Sequence, residues 1–122
     1  MHNYIDGFAL PLPTAQLDIY KKVASQVAEI WKEHGALSYK EYVLDDASLE
    51  GTCSFLELVN AQADESVIFG WVSFASREAR DQANALVAAD PRMEALIAPL
   101  TDPSRVIFDA GRMFFGGFKA FV

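Results

Sequence analysis

Cysteine is nearly missing from this chain. Cys53 stands alone, so no internal disulfide can form and nothing points to an oxidising compartment. Histidine is almost as scarce. His2 and His34 stand at ligand spacing from neither Cys53 nor a carboxylate, so no metal site is expected. No apolar run approaches the roughly 20 residues of a membrane span. The opening residues, Met1 to Asp6, lack the basic region and apolar run of a signal peptide, so the expected location is the cytoplasm. Positive charge is also short: 10 Lys and Arg face 17 Asp and Glu, for a net charge of −7. Nucleic acid binding needs a basic face to displace counterions, and anionic membranes attract basic segments, so neither partner is expected. Gly116-Gly117 lacks the spacing and following helix of a phosphate loop, and no other cofactor motif is legible.

What is present is hydrophobic. Of 122 residues, 52% are apolar, and the mean hydropathy is +0.11. The length suits one domain, residues 1–122, with a core of its own. The apolar surplus predicts a monomer that leaves such surface uncovered, and hence a homodimer.

The final stretch, Arg112 to Val122, is aromatic, poor in charge and broken by a glycine pair, and reads as a buried strand. Alternation predicts a first strand over Tyr4–Leu10, ended by Pro11 and Pro13. Thr14 is a candidate N-cap for a helix in which Leu17, Tyr20, Val23, Val27 and Ile30 recur at helical spacing. Lys32 and His34 suit its negative end, and Gly35 its left-handed exit. Leu37–Leu44 alternates as a second strand. Residues 45–65 hold six acidic residues and no Lys or Arg, an inserted acidic connection. Ser54 is placed to cap a single turn there, and Phe55 and Leu56 predict a packed cover. Ser66–Phe74 is rich in Val, Ile, Phe and Trp, as a central strand should be. Ser76 caps a second helix, and Asp90-Pro91 opens a shorter one that Pro99 stops. Arg105–Phe108 reads as a short extended piece.

The order strand, helix, strand, strand, helix, strand predicts an α+β, ferredoxin-like βαββαβ fold with a four-stranded antiparallel sheet. Its helices cover one sheet face. Apolar side chains on the other face predict pairing through that face with a second copy, giving a dimeric α/β barrel.

Four segments in register carry a resemblance: Tyr4-Ile5-Asp6-Gly7-Phe8, His34-Gly35-Ala36-Leu37 with Tyr39 and Glu41, Asp90-Pro91-Arg92-Met93, and Arg112-Met113 with Gly116-Gly117-Phe118. Together they resemble the bacterial family catalogued as domain of unknown function 1428, over nearly the whole chain. The resemblance implies a dimeric α/β barrel, related in fold to small antibiotic-biosynthesis monooxygenases and muconolactone-isomerase-like proteins. It implies no established reaction. This chain has Tyr42 where that family often has a cysteine.

Asp6, Glu41 and Arg112 are charges inside apolar strands, and charge on a covered strand is costly unless paired. Two arrangements fit: convergence inside the barrel, with Arg112 fixing an anionic or carbonyl oxygen and a carboxylate acting as base, or, the more common outcome, structural ion pairs at the strand ends or dimer seam. Phe8, Trp71 and Phe114 are the candidate walls of a pocket for a small apolar or aromatic ligand. Two readings follow: a cofactor-independent small-molecule enzyme of oxygenase or isomerase type, or a non-catalytic ligand-binding or dimer-scaffold protein. His34 is better suited to a helix-end cation than to a base, and Cys53, among acidic neighbours, to an unreactive thiol. The aromatic last strand loosely resembles an RNA-binding signature. That signature belongs on a third strand in a basic protein, and is rejected here.

Overall fold

The structure, a computed structural model, describes residues 2–122. Four strands, β1 (Tyr4–Pro13), β2 (Ser38–Val43), β3 (Glu65–Phe74) and β4 (Phe114–Lys119), form one antiparallel sheet in the order β2-β3-β1-β4. Helices α1 (Leu17–Glu33) and α3 (Arg77–Ala89) are the two crossovers, with the short α2 (Phe55–Leu58) and α4 (Arg92–Ile97) in the connections. This is the ferredoxin-like α+β fold expected from the sequence, with the last strand beside the first. No helix among the described residues is long and apolar enough to cross a membrane.

Side-chain alternation divides the sheet into two faces. The face toward the helices carries Tyr4, Asp6, Phe8, Leu10 and Leu12 of β1 and Ile68, Gly70, Val72 and Phe74 of β3. Leu10, Leu12 and Ile68 pack with Tyr20, Val23 and Val27 of α1 in the main core, which Leu100 and Ile107 close. A second cluster joins Tyr4, Val72 and Phe74 to Ala36 and to Ala83 of α3. The small residues of α3 let it lie close to the sheet. The opposite face carries Ile5, Gly7 and Ala9 of β1, Phe69 and Trp71 of β3, Tyr42 of β2 and Phe114 and Phe118 of β4.

The acidic connection covers one end of that second face. Val59 is buried against Ala9 and Val67, and the Phe55 ring meets Phe69 edge-on at 5.6 Å. Ser54 caps the α2 turn as expected, accepting from the Leu56 N–H at 3.0 Å. Ser76 does the same for α3 through the Ala79 N–H at 3.1 Å.

Four local expectations are corrected. β1 does not stop at Leu10 but runs through both prolines. Thr14 N–H donates to Asp64 O, so even-numbered residues there turn their N–H toward β3. Odd-numbered Pro11 and Pro13 face the other side, where β4 pairing ends at Ala9, and no N–H is needed. Thr14 caps nothing: it opens a 3₁₀ turn, Thr14–Gln16, and its Oγ1 meets Ser66 Oγ at 2.8 Å. Arg105–Phe108 forms no strand, since the N–H groups of Ile107 and Phe108 both turn back to Leu100 O. Arg112 lies not in a strand but in a 3₁₀ turn, Ala110–Arg112, which Asp109 caps.

Candidate functional site

Asp6 and Glu41 fall on the helix face, in neighbouring cross-strand rows. One row runs Tyr39, Val72, Asp6, Gly117, and the next Glu41, Gly70, Phe8, Phe115. Gly70 makes the second row possible. A Cβ there would fall 2.6 Å from Phe8 Cζ and 2.9 Å from Glu41 Cγ, so a larger residue would displace both.

The Asp6 side chain is 5% exposed. Its Oδ1 accepts from Arg80 Nη1 at 2.9 Å. Arg80 projects inward from α3. It also donates from Nη2 to Tyr4 Oη (3.0 Å) and from Nε to Asp81 (2.9 Å), with its guanidinium over the Tyr4 ring. Asp6 Oδ2 takes no hydrogen bond from the described residues. No buried side-chain polar atom among them lacks a partner, so Oδ2 is reached from outside. Burial raises the Asp6 pKa, and Arg80 only partly offsets that rise. The carboxylate borders a cleft of about 320 Å³ between sheet and helices, whose walls include Phe8, Tyr20, Trp31, Tyr39 and Asn84.

Glu41 borders a second cleft, of about 410 Å³, beside α1 and β2. The hydroxyl of Tyr20 donates to its Oε1 and that of Tyr39 to its Oε2, the latter at 2.8 Å. Burial raises the Glu41 pKa despite these two hydrogen bonds, and both tyrosine hydroxyls, also buried, are held above the usual phenol range. Tyr20 and Tyr39 line both clefts and stand between them.

Convergence of Asp6, Glu41 and Arg112 does not occur. Arg112, in its turn at the end of the sheet, donates to both Glu65 oxygens at 2.6 and 2.8 Å and to Asn60 O at 3.0 Å. It borders neither carboxylate cleft. Trp71 and Phe114 are on the opposite face, in an aromatic hollow of about 430 Å³ with Phe55, Phe69 and Phe118, and Phe8 borders both this hollow and the Asp6 cleft. Trp71 stacks on Tyr42 with centroids 5.3 Å apart.

Two polar groups of the Asp6 region carry a sequence signal that the strand pattern hides. Arg80 and Asn84 fall on the same inward stripe of α3 as Ala83 and Val87, where a purely apolar helix face would carry neither. Tyr20 reads as core from its spacing, and it is core, but with its hydroxyl turned to Glu41.

Elsewhere, His34 Nε2 meets Asp90 Oδ2 at 2.8 Å and ties the end of α1 to the start of α4. Ser73, buried on the second face, hydrogen-bonds His2 Nδ1 (2.7 Å) and Ser38 Oγ (2.5 Å), with no carboxylate completing the row. Among the described residues no three of His, Cys, Asp and Glu gather as a metal-binding group.

The fold is shared with a NIPSNAP family protein of unknown function from Agrobacterium tumefaciens. Its crystal structure superimposes with a TM-score of 0.57 at 20% identity, covering 98% of this chain and 88% of that one. A second solved structure, protein Atu4242 of the same organism, gives 0.55 at 20% identity, over 95% and 91% of the two chains. These likenesses define a ferredoxin-like class. The family itself is set by sequence: the model described as protein of unknown function DUF1428 matches residues 3–109, and the chain belongs to that family. Uncharacterized protein YbaA of Escherichia coli K12 is 34% identical over 120 residues, spanning 98% of this chain and 97% of the relative, and YbaA of Shigella flexneri matches equally.

Proposed function

We propose that this protein is a homodimer paired through its aromatic sheet face, and a cofactor-independent enzyme that moves a proton on a small apolar or aromatic carbonyl compound in the Asp6 cleft. One observation carries the catalytic part: Asp6 is a buried carboxylate with one oxygen open to an otherwise largely apolar cleft. A base works best when its pKa lies near the working pH, and burial moves Asp6 in that direction. Asp6 takes a proton from the carbon beside the carbonyl and returns it to the same or a conjugated carbon. No oxidant or reductant is needed, which favours the isomerase type over the oxygenase type. Phe8, Trp31 and Tyr39 supply the walls for a flat substrate, and the cleft lies within the usual range of small-molecule sites. Arg112 has no role in this reading, because Glu65 and Asn60 already hold it.

The dimer rests on exposed aromatic surface. Tyr42 is 53% exposed and Phe118 58%, and Phe69 and Phe114 flank them on the same sheet face. A contiguous patch of this kind marks an interaction surface.

The test is exchange of carbon-bound hydrogen in deuterated water. Small α-hydroxy aryl ketones found by thermal shift should lose their α-proton signals when the protein is added, and the Asp6→Asn variant should abolish this. A competing reading, a non-catalytic binding or scaffold protein, is favoured by the Asp6–Arg80 ion pair, which is sufficient reason for a buried carboxylate. Under that reading ligands bind without exchange, and Asp6→Asn changes stability alone.

A further inference from the structure

The Asp6 cleft is one-sided in its electrostatics. Among the described residues Asp6 is the only charged one on its wall. The nearest cation, Arg80, has Nη1, Nη2 and Nε committed to Asp6, Tyr4 and Asp81, and its guanidinium is stacked on the Tyr4 ring 4.9 Å from the centroid. An anionic ligand would therefore meet a carboxylate and no cation that is free to turn. A cationic ligand would meet Asp6 with its charge already balanced by Arg80 at 2.9 Å, and would lose its hydration for little return.

The Tyr20 and Tyr39 hydroxyls on the wall are committed to Glu41, which leaves Asn84 with its carboxamide. It sits one helical turn after Arg80 on α3, so both project toward the sheet. Its carboxamide makes no hydrogen bond to the described residues, yet it borders the cleft. A carboxamide offers an N–H donor and a carbonyl acceptor side by side. Together, Asn84 and Asp6 Oδ2 ask for a partner that donates and accepts at adjacent positions, while the remaining walls are mostly apolar.

Resting on the catalytic reading above, we infer that the Asp6 cleft selects a neutral, flat ligand with a hydrogen-bond donor next to a carbonyl, and that Asn84 is the residue that recognises this pair. Carboxylic acids and amines of the same shape are excluded.

Three ligands of one shape and three charges test this: naphthamide, naphthoate and naphthamidine, titrated calorimetrically into the full chain, with naphthalene as the apolar reference. Naphthamide should bind tightest, by about tenfold over either ion, the worth of one well-made buried hydrogen bond. Asn84→Leu, close in shape, should weaken naphthamide by about tenfold and leave naphthalene unchanged. Asn84→Ala serves as the second variant if Asn84→Leu fails to fold. Tighter binding of naphthoate or naphthamidine, or an amide affinity indifferent to Asn84, overturns the inference and leaves the cleft as a binding site. Failure of all four compounds to bind overturns the catalytic reading together with it.

Discussion

The ring of Tyr4 lies across Gly117, its hydroxyl where a Cβ at that position would be. The two are on neighbouring strands of the helix face, Tyr4 opposite Lys119 and Gly117 opposite Asp6. The glycine pair of the last strand thus has an occupant from its own chain: Tyr4 approaches Gly117, and Phe118 folds over Gly116 and Gly7. Tyr4 cannot easily move aside, because Arg80 holds its hydroxyl at 3.0 Å. Gly117→Ala should therefore destabilise the fold by about 2 kcal/mol, an overpacking cost. Gly35→Ala, where no heavy atom lies near, serves as a comparison for backbone strain alone. Urea unfolding of both variants checks this.

Arg80 is the counter-charge of a buried carboxylate. Arg80→Met should cost about 3 kcal/mol, because Asp6 is then buried without a partner. Adding Asp6→Asn to that variant should recover a large part of the loss. A double-mutant cycle by chemical denaturation measures the coupling, and simple additivity of the two changes would refute the pairing.

Glu41 gives a pH signature. Its folded pKa is raised above 4.5 by burial, so the folded chain keeps that proton to higher pH than the unfolded chain does. Its contribution to stability is complete below that value and is lost as pH rises through the folded pKa. Gln cannot titrate. The stability of Glu41→Gln relative to the parent should therefore increase as pH rises from 4.5 and level off above the folded pKa. A difference that stays flat across that range would contradict the burial of this carboxylate.

Arg112→Ala should leave ligand binding in the Asp6 cleft intact. It should lower stability by about 1 kcal/mol through its partly exposed pair with Glu65. Because Arg112 also holds Glu65 below the usual carboxylate range, the parent should lose this margin as pH falls through the lowered Glu65 pKa. Thermal melts across acidic pH, with and without the substitution, show it.

If the proposed pairing through the aromatic face holds, Phe118→Lys should convert the dimer to a monomer at micromolar concentration, since a charge there cannot be buried against a second sheet. Light scattering on parent and variant decides. A parent that is itself monomeric would refute the pairing.

The order of elements and the two-faced sheet are legible in the sequence because both rest on periodicity, which is local. The caps at Ser54 and Ser76 are legible for the same reason. What fails depends on partners far along the chain. Pro11 and Pro13 read as an ending, and only the early departure of β4 makes them harmless. Arg112 reads as strand, and its partner Glu65 is 47 positions away. Asp6 and Glu41 are correctly singled out as charges in apolar strands. Alternation does put Tyr39 beside Glu41, two residues along β2, but their other partners, Arg80 and Tyr20, come from α3 and α1, and no spacing rule connects those. The wall residues divide between faces in just the way alternation requires: Asp6 and Phe8 are even-numbered on β1, and Trp71 is odd-numbered on β3, opposite Gly7.

The prolines of β1 have a further consequence. Beyond Ala9 this strand has no ladder partner on the β4 side, and an unpaired side of this kind would normally attract another strand if uncovered. There the two residues whose N–H groups would face outward are Pro11 and Pro13, and neither has one. A foreign strand arriving at that edge finds acceptors without donors and cannot zip. Growth of the sheet in its own plane is closed at this stretch.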